Sequence, residues 1–277
     1  MKSENKMPKI LFGSFQMSDS ELIYSIVSEA ASNGIRGFDT SPSYRTELDI
    51  SKAINRYLIE HPESNRADFY LQSKIDAWQM IQKKGDIRPF VNATLKKIDQ
   101  PYFDLLLIHW PQPDYFVETW KYMEKVYESG QAKAIGICNC QRRHIELLKR
   151  ENTEILPMVI QNEIHPLNTD QDNIKYFKEL GITVQAYSPL CRMISKLTEN
   201  QVLIKLAEKY KVSIAQIILR WHIENGIVPI VKTSKPQRVM ENIAAMNFEM
   251  DSEDVQLISM LNENFKIFLE SRCCPGY

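Results

Sequence analysis

The sequence is short of every feature that marks a macromolecular partner. Its 34 basic and 35 acidic side chains leave a net charge of −1, with both signs scattered along the chain. No basic stripe suits nucleic acid and no polybasic patch suits a membrane surface. No apolar run approaches the roughly 20 residues of a spanning helix, and the opening MKSENKMPKILFGSF lacks the continuous apolar core of a secretory signal. A cytoplasmic protein with neither nucleic-acid nor membrane partners is expected. Cysteine is scarce and odd in number: Cys138, Cys140, Cys191, Cys273 and Cys274 cannot all pair within one chain, so reduced thiols are expected. Cys138 and Cys140 lie one residue apart and no second cysteine pair with a histidine follows at zinc spacing, so no metal site is expected. A GxGxxG turn is also missing, which argues against a doubly wound nucleotide-binding sheet.

What is present is a repeated unit: an amphipathic helix, a glycine, then a short apolar strand. Leu22, Ile23, Ile26, Val27 and Ala30 share one helical face, Gly34 suits the left-handed end of that helix, and IRGFDT follows as a strand. Gly130, Gly181 and Gly226 punctuate in the same way before QAKAIGICN, ITVQAYSPL and IVPIVKT, strands of the fully buried type. Adding FYLQSKI, YFDLLLIHW, PMVIQNEIH and a weaker AAMNFEM gives eight strands, the count of a (β/α)8 TIM barrel. On length alone, 277 residues fit one such barrel or two small domains. No linker or low-complexity tract divides the chain, so residues 1–277 read as a single domain. The segment MPKILFGSFQM before the first helix reads as either a plug or an extra strand.

In a parallel barrel ligands meet the carboxyl ends of the strands. Asp39, Lys74 and His109 end three successive apolar runs, and Tyr44 lies in the loop five residues past Asp39. A phenol, an ammonium, a carboxylate and an imidazole therefore converge. Tyrosine ordinarily titrates near pH 10, and an adjacent cation lowers that value, so Lys74 is expected to tune Tyr44 downward. Lys74 at that depth needs a carboxylate to stay charged, and Asp39 is the available one. His109 would orient a substrate oxygen. Such a set suits protonation of an oxygen that gains negative charge as hydride adds to a carbonyl. The chain supplies no hydride, so a nicotinamide cofactor is required. In IVPIVKTSKPQRVMEN, Lys232, Lys235 and Arg238 stand around a predicted helix start, where they favour the 2′-phosphate of NADP.

The segments GFDTSPSY, LQSKI, LLLIHWPQP, AIGICN, IQNEIHP, AYSPL and VKTSKPQRVMEN, in this order and spacing, resemble the aldo-keto reductase family from about Pro8 to Asp254. The stretch PQPDYFVETWKYMEKVYESGQAKAIGI resembles the bacterial members with short loops. That resemblance implies an NADPH-dependent reductase of aldehydes or ketones, with Tyr44 as proton donor supported by Asp39, Lys74 and His109. It also implies Asn139 and Gln161 at the nicotinamide carboxamide, Tyr187 against its ring, and Ser188 and Leu190 near ribose and pyrophosphate. Ser14, Asp39 and Cys138 join the cofactor set. Lys232, Thr233 and Arg238 are implied at the 2′-phosphate, Glu241 and Asn242 at adenine, and Phe15 and Trp110 as substrate-pocket walls. A monomer is implied, with residues 265–277 a tail near the pocket. Some relatives of this fold only bind the cofactor, as accessory or redox-sensing proteins, and this is the competing reading.

Four positions leave the family's usual residues. Cys138 replaces a serine beside Asn139, which weakens one carboxamide hydrogen bond. Arg45 follows the tyrosine and Asp76 stands two after the lysine; both are expected at the pocket mouth, where they would favour polar carbonyl substrates. Cys191 replaces a glycine after AYSPL. Elsewhere His165 reads as a structural hydrogen-bonder, His61, His144 and His222 as surface, Trp120 and Trp221 as packing, and Trp78 as a rim cover.

Overall fold

The computed structural model describes residues 7–274, so residues 1–6 of the expected domain and 275–277 of the expected tail lie outside it. Eight parallel strands close on themselves: β1 Leu11–Gly13, β2 Gly37–Asp39, β3 Tyr70–Ile75, β4 Leu105–Ile108, β5 Ile135–Cys138, β6 Val159–Glu163, β7 Thr183–Tyr187 and β8 Ile227–Val231. Helices follow them on the outside, beginning with α1 Ser20–Ser32, α2 Glu47–Glu60, α3 Ala77–Gln82, α4 Arg88–Ile98, α5 Phe116–Glu128 and α6 Arg142–Arg150. The second half carries α7 Gln171–Glu179, α8 Ser195–Thr198, α9 Gln201–Tyr210, α10 Ile214–Glu224, α11 Gln237–Ile243, α12 Ser252–Ser259 and α13 Glu270–Cys273. Among the described residues no helix is long and apolar enough to cross a membrane.

One expected strand is replaced by another. AAMNFEM forms no strand: Ala244–Met246 is a single 3-10 turn. The barrel closes instead through the early segment, where β1 pairs with β2 and with β8 in the register Leu11↔Ile230 and Phe12↔Val231. Ile10, Leu11 and Phe12 are almost wholly buried, whereas Asn247 and Glu249 are exposed. A three-residue strand with no helix before it escapes a search for the repeated unit.

The repeat otherwise forms as its pattern dictates. The side chain of Asp19 accepts the N–H groups of Glu21 and Leu22 and so caps α1. Ile23, Ile26, Val27, Ala30 and Ala31 of α1 are buried against the barrel, and Gly34 ends the turn with φ +83°. Leu22 is only partly buried, one position off the expected face. Within the wall, Gly136 is required by space: a Cβ there would lie 2.2 Å from the carbonyl oxygen of Val159 on the neighbouring strand.

The barrel lumen is layered. Leu11, Tyr70, Leu105, Leu107, Val159 and Ile230 form an apolar cluster inside it. The amides of Gln72, Gln161 and Gln185 join across the lumen: Gln185 Nε2 donates to Gln72 Oε1 at 2.9 Å, and Gln161 Nε2 to Gln185 Oε1 at 2.9 Å. This belt meets the carboxylate of Asp39, which accepts from Gln72 Nε2 at 2.6 Å and Gln161 Nε2 at 3.3 Å.

Candidate active site

Asp39 ends β2, and Lys74 stands one residue before the end of β3, so both side chains point into the lumen at the carboxyl end of the barrel. Lys74 is fully buried, and its Nζ donates to Asp39 Oδ1 at 2.6 Å and to the carbonyl of Thr40 at 2.9 Å. Tyr44 ends a single 3-10 turn, Pro42–Tyr44, and the ammonium lies 4.7 Å from the centre of its ring. Burial pulls the Lys74 ammonium down, yet the Asp39 carboxylate offsets it, and the group stands above its ordinary range. Asp39 thus stands beside Lys74, where its sequence position places it.

Tyr44 departs from expectation in direction. Burial pushes its phenol above the ordinary value, and the opposing pull of Lys74 offsets only part of this; Asp39 adds to the rise. The group is therefore fully protonated at neutral pH. A buried phenolate is costly even beside a cation, because the desolvation of the anion outweighs the neighbouring charge.

His109 follows β4, its ring edge-to-face with Tyr44 at 5.7 Å between centres. Asp76 is not at the entrance. Strand β3 ends at Ile75, and the chain turns at once into α3, with the Asp76 N–H held by Gln79 Oε1 at 2.8 Å. The carboxylate points inward, 6% exposed, with Oδ1 2.5 Å from His109 Nδ1 and 3.3 Å from the hydroxyls of Ser41 and Ser43. The expected polar mouth therefore loses one of its two members. The other, Arg45, is exposed at the rim with φ +60°.

The remaining predicted residues divide into a buried set and an exposed set. Ser14 is buried, its hydroxyl donating to the Asp39 carbonyl at 2.9 Å and sharing a hydrogen bond with Thr46. Cys138 is wholly buried at the end of β5, and burial pushes its thiol up. Asn139, at φ +55°, donates from Nδ2 to the His109 carbonyl at 2.9 Å and accepts the Tyr187 hydroxyl at 2.7 Å. Gln161 is committed to the lumen belt described above. Tyr187 and Leu190 are half-buried, as is Ser188, which has a positive φ of 49°. Cys191, Arg192 and Met193 continue with φ of 44°, 54° and 50°. The glycine that Cys191 replaces would meet this left-handed turn without strain.

Along the rim after β8, Lys232 and Arg238 are exposed and carry no ion pair among the described residues. Thr233 between them is buried, its hydroxyl accepting the Lys235 N–H at 3.0 Å. Glu241 is exposed and accepts from Ser213, and Asn242 is buried. Helix α11 has only seven residues, so the expected helix-start contribution to phosphate binding is weaker than the sequence suggested. The two cations remain.

Phe15 and Trp110 flank the mouth, with Phe15 edge-on to Tyr44 at 5.1 Å and Trp110 half-buried directly after His109. The chain near 267 crosses this mouth. Phe268 packs against Tyr187 at 5.7 Å and Phe15 at 6.3 Å. Its path is set by Glu163, whose carboxylate accepts the main-chain N–H groups of Ile267 at 2.6 Å and Phe268 at 3.0 Å. His165 supports Glu163 at 3.1 Å, a structural role. Sequence reasoning missed this anchor, Phe268 and the glutamine belt. Period-two spacing was the available signal for the belt: Gln72 lies two before Lys74, and Gln185 two before Tyr187, on the same strand faces.

His144 and His222, expected at the surface, are buried. His222 lies between the carbonyls of Ile218 and Ile164 at 2.8 and 2.9 Å. Trp120 and Trp221 are core residues, and Trp78, 51% exposed, lies edge-on to Phe90.

A closed (β/α)8 barrel with titratable side chains gathered at the carboxyl ends of its strands is the architecture of a barrel enzyme. Residues 9–263 match the Aldo/keto reductase family, and the chain belongs to that family of oxidoreductases. Glyoxal reductase of Bacillus subtilis is 35% identical over 262 residues, covering 95% of this chain and 91% of the relative. Methylglyoxal reductase DkgA of Escherichia coli is 32% identical over 269 residues, covering 96% and 94%. Among solved structures, an aldo-keto reductase from Bombyx mori in complex with NADP superposes with a TM-score of 0.86 at 28% identity, covering 96% of this chain and 92% of the other. An aldo-keto reductase from a deep-sea metagenome library reaches 0.84 at 32% identity, covering 95% and 94%.

Proposed function

We propose that the protein reduces a small polar aldehyde or ketone to its alcohol with NADPH, Tyr44 giving the proton. The observation that carries this reading is the buried Asp39–Lys74 pair, bonded at 2.6 Å, with its ammonium 4.7 Å from the centre of the Tyr44 ring. When bound, NADPH supplies the hydride. Addition to the carbonyl carbon leaves the oxygen negative and more basic than a phenolate, so the fully protonated Tyr44 is a competent donor. Lys74 stabilises the phenolate that remains, and Asp39 keeps Lys74 charged for that task. His109 orients the carbonyl oxygen.

The residues present fit the cofactor. Lys232, Thr233 and Arg238 would hold the 2′-phosphate, because two exposed and unpaired cations flank a buried hydroxyl on one loop. Ser14, Ser188 and Leu190 would line the nicotinamide and phosphate end, and Glu241 and Asn242 the adenine. Asn139 and Gln161 would take the carboxamide by exchanging bonds they make to Tyr187, Asp39 and Gln185. The relatives named for glyoxal and methylglyoxal support small dicarbonyl compounds as substrates, and Arg45 at the rim suits polar ones. The same reading takes the protein as a cytoplasmic monomer, which sedimentation in solution checks for the oligomeric state.

The test follows NADPH absorbance across glyoxal, methylglyoxal, sugars and aromatic aldehydes. Tyr44→Phe should lower kcat by about 10²–10⁴-fold, the usual worth of a positioned proton donor, with little change in NADPH binding. Wild-type protein that oxidises NADPH with none of these compounds overturns the reading in favour of a cofactor-binding role, and Tyr44→Phe as active as wild type removes Tyr44 as the proton donor.

A further inference from the structure

Directly beneath the Asp39–Lys74 pair the barrel lumen changes character. On β3 the inward residues Tyr70, Gln72 and Lys74 are spaced two apart, so one strand face passes from the apolar layer through an amide to the ammonium. Gln72 is the partner of Asp39 in the β2 to β3 register. Deeper still lie Leu11, Leu105, Leu107, Val159 and Ile230, which offer a carboxylate no donor. Whatever solvates the inner side of Asp39 must therefore come from the layer between. Gln72 and Gln185 of that layer are wholly buried.

Lys74 fixes the direction of every hydrogen bond there. Its ammonium stands above its ordinary range and keeps its protons, so Asp39 Oδ1, 2.6 Å from Nζ, must accept. An amide that meets the same oxygen must present its nitrogen. Gln72 does so, with Nε2 2.6 Å from Oδ1. Its own carbonyl oxygen then faces Gln185, whose Nε2 donates to it at 2.9 Å, and the second hydrogen of Gln72 Nε2 reaches Gln185 Oε1 at 3.2 Å. The other hydrogen of Gln185 Nε2 meets Met7 Sδ at 3.3 Å. Gln72 and Gln185 thus form a reciprocal pair across the lumen in which each amide hydrogen is engaged. Turning either amide over would set donor against donor. Gln161 holds Oδ1 more loosely, at 3.3 Å, and is the amide a bound cofactor would draw away.

We propose that Gln72 is the positioning residue of Asp39: its amide, fixed by Gln185, holds Oδ1 against the Lys74 ammonium and keeps it there when Gln161 turns to the cofactor. The inference rests on the carbonyl-reductase reading above and deepens it. Gln72 touches no reacting atom and acts through Asp39 and Lys74. A buried amide pair with its hydrogen bonds satisfied holds one geometry, and the carboxylate inherits that geometry. The same layer thereby divides its work, with Gln161 serving the cofactor and Gln72 serving the proton-donor support.

The experiment compares wild type, Gln72→Met, Gln161→Met, Asp39→Asn and the Asp39→Asn, Gln72→Met double variant, with NADPH and methylglyoxal. Methionine keeps the length of the glutamine side chain and removes the donor. Gln72→Met should lower kcat about tenfold, the lower end for one hydrogen bond to a charged group, and leave the KM for NADPH unchanged. Gln161→Met should do the reverse and act mainly on that KM. In the Asp39→Asn background Gln72→Met should lower kcat no further. A wild-type kcat in Gln72→Met, a loss carried by the KM for NADPH, or additive losses in the double variant overturns the positioning role. A second readout needs neither a folded variant nor activity. In 15N spectra of glutamine-labelled wild type, the Gln72 side-chain hydrogens should exchange slowly, with one of them far downfield. Exchange at the rate of exposed glutamines overturns the proposal. Wild type inactive on all carbonyl compounds would instead fell the reductase reading, and the spectra would still decide where the Gln72 amide is held.

Discussion

The cup at the strand ends and the rim after β8 handle charge in opposite ways. In the cup the charged groups are desolvated and already held: Lys74 by Asp39 at 2.6 Å, and one oxygen of Asp76 by the His109 ring at 2.5 Å. On the rim Lys232 and Arg238 stand in solvent with no carboxylate partner among the described residues. Buried charge demands a partner at all times, whereas a solvated cation waits at small cost for an anion to arrive. The cup is therefore organised without a ligand, whereas the rim cations remain available to an anion. Chemistry should depend on the first and cofactor choice on the second.

Breaking the cup should have the largest effect. Lys74→Met leaves Asp39 buried and unpaired, which should cost about 3–5 kcal/mol of stability and lower kcat about a thousandfold by removing support for the phenolate. Adding Asp39→Asn should return much of the stability and none of the activity. Denaturant melts and kcat separate the two. If the double variant regains activity, the path from Asp39 to Tyr44 is not the proton-donor support.

The wall gives an intermediate test of buried ionisation. Burial lowers His222 and His144 from 6.5 to about 4 in the folded protein. Between these values the unfolded chain binds protons that the folded chain refuses, so stability is full above pH 6.5 and is lost as pH falls toward 4. The sum for His222 is on the order of 3 kcal/mol. His222→Asn should flatten that part of the stability profile, measured by denaturant midpoints. A slope unchanged by the substitution would show that His222 does not titrate on unfolding in this range.

The smallest effect belongs to the rim. Arg238→Ala should raise the KM for NADPH about tenfold, one charge-assisted phosphate contact, while changing the value for NADH little. Raising ionic strength should mimic it for NADPH, since exposed charge is screened. Equal constants for the two cofactors in wild type would remove the distinction between rim and cup.

Much of this arrangement was legible because a parallel barrel converts strand ends into neighbours. Asp39, Lys74, His109 and Tyr44 needed only their places after apolar runs. The strand β1 was harder, for it is three residues long and follows no helix, while AAMNFEM carried alternating apolar residues that packing spends on a turn. Asp76 was found as a departure but assigned the wrong direction. Its side chain turns inward because α3 starts immediately, and no local pattern encodes the distance to His109. The rise of Tyr44 was hidden for a related reason: sequence shows the neighbouring cation but not the volume of solvent removed. His222 looked like a polar position on an amphipathic helix, and the two carbonyls that enclose it come from its own preceding turn and from Ile164.

The anchor at Glu163 has a consequence for how this enzyme can change. It grips the tail by the main-chain N–H groups of Ile267 and Phe268 and takes no account of what either residue carries. The course of the segment over the mouth is thereby separated from its wording. Side chains at 267 and 268 can therefore change while the two main-chain bonds that set the segment's course stay in place.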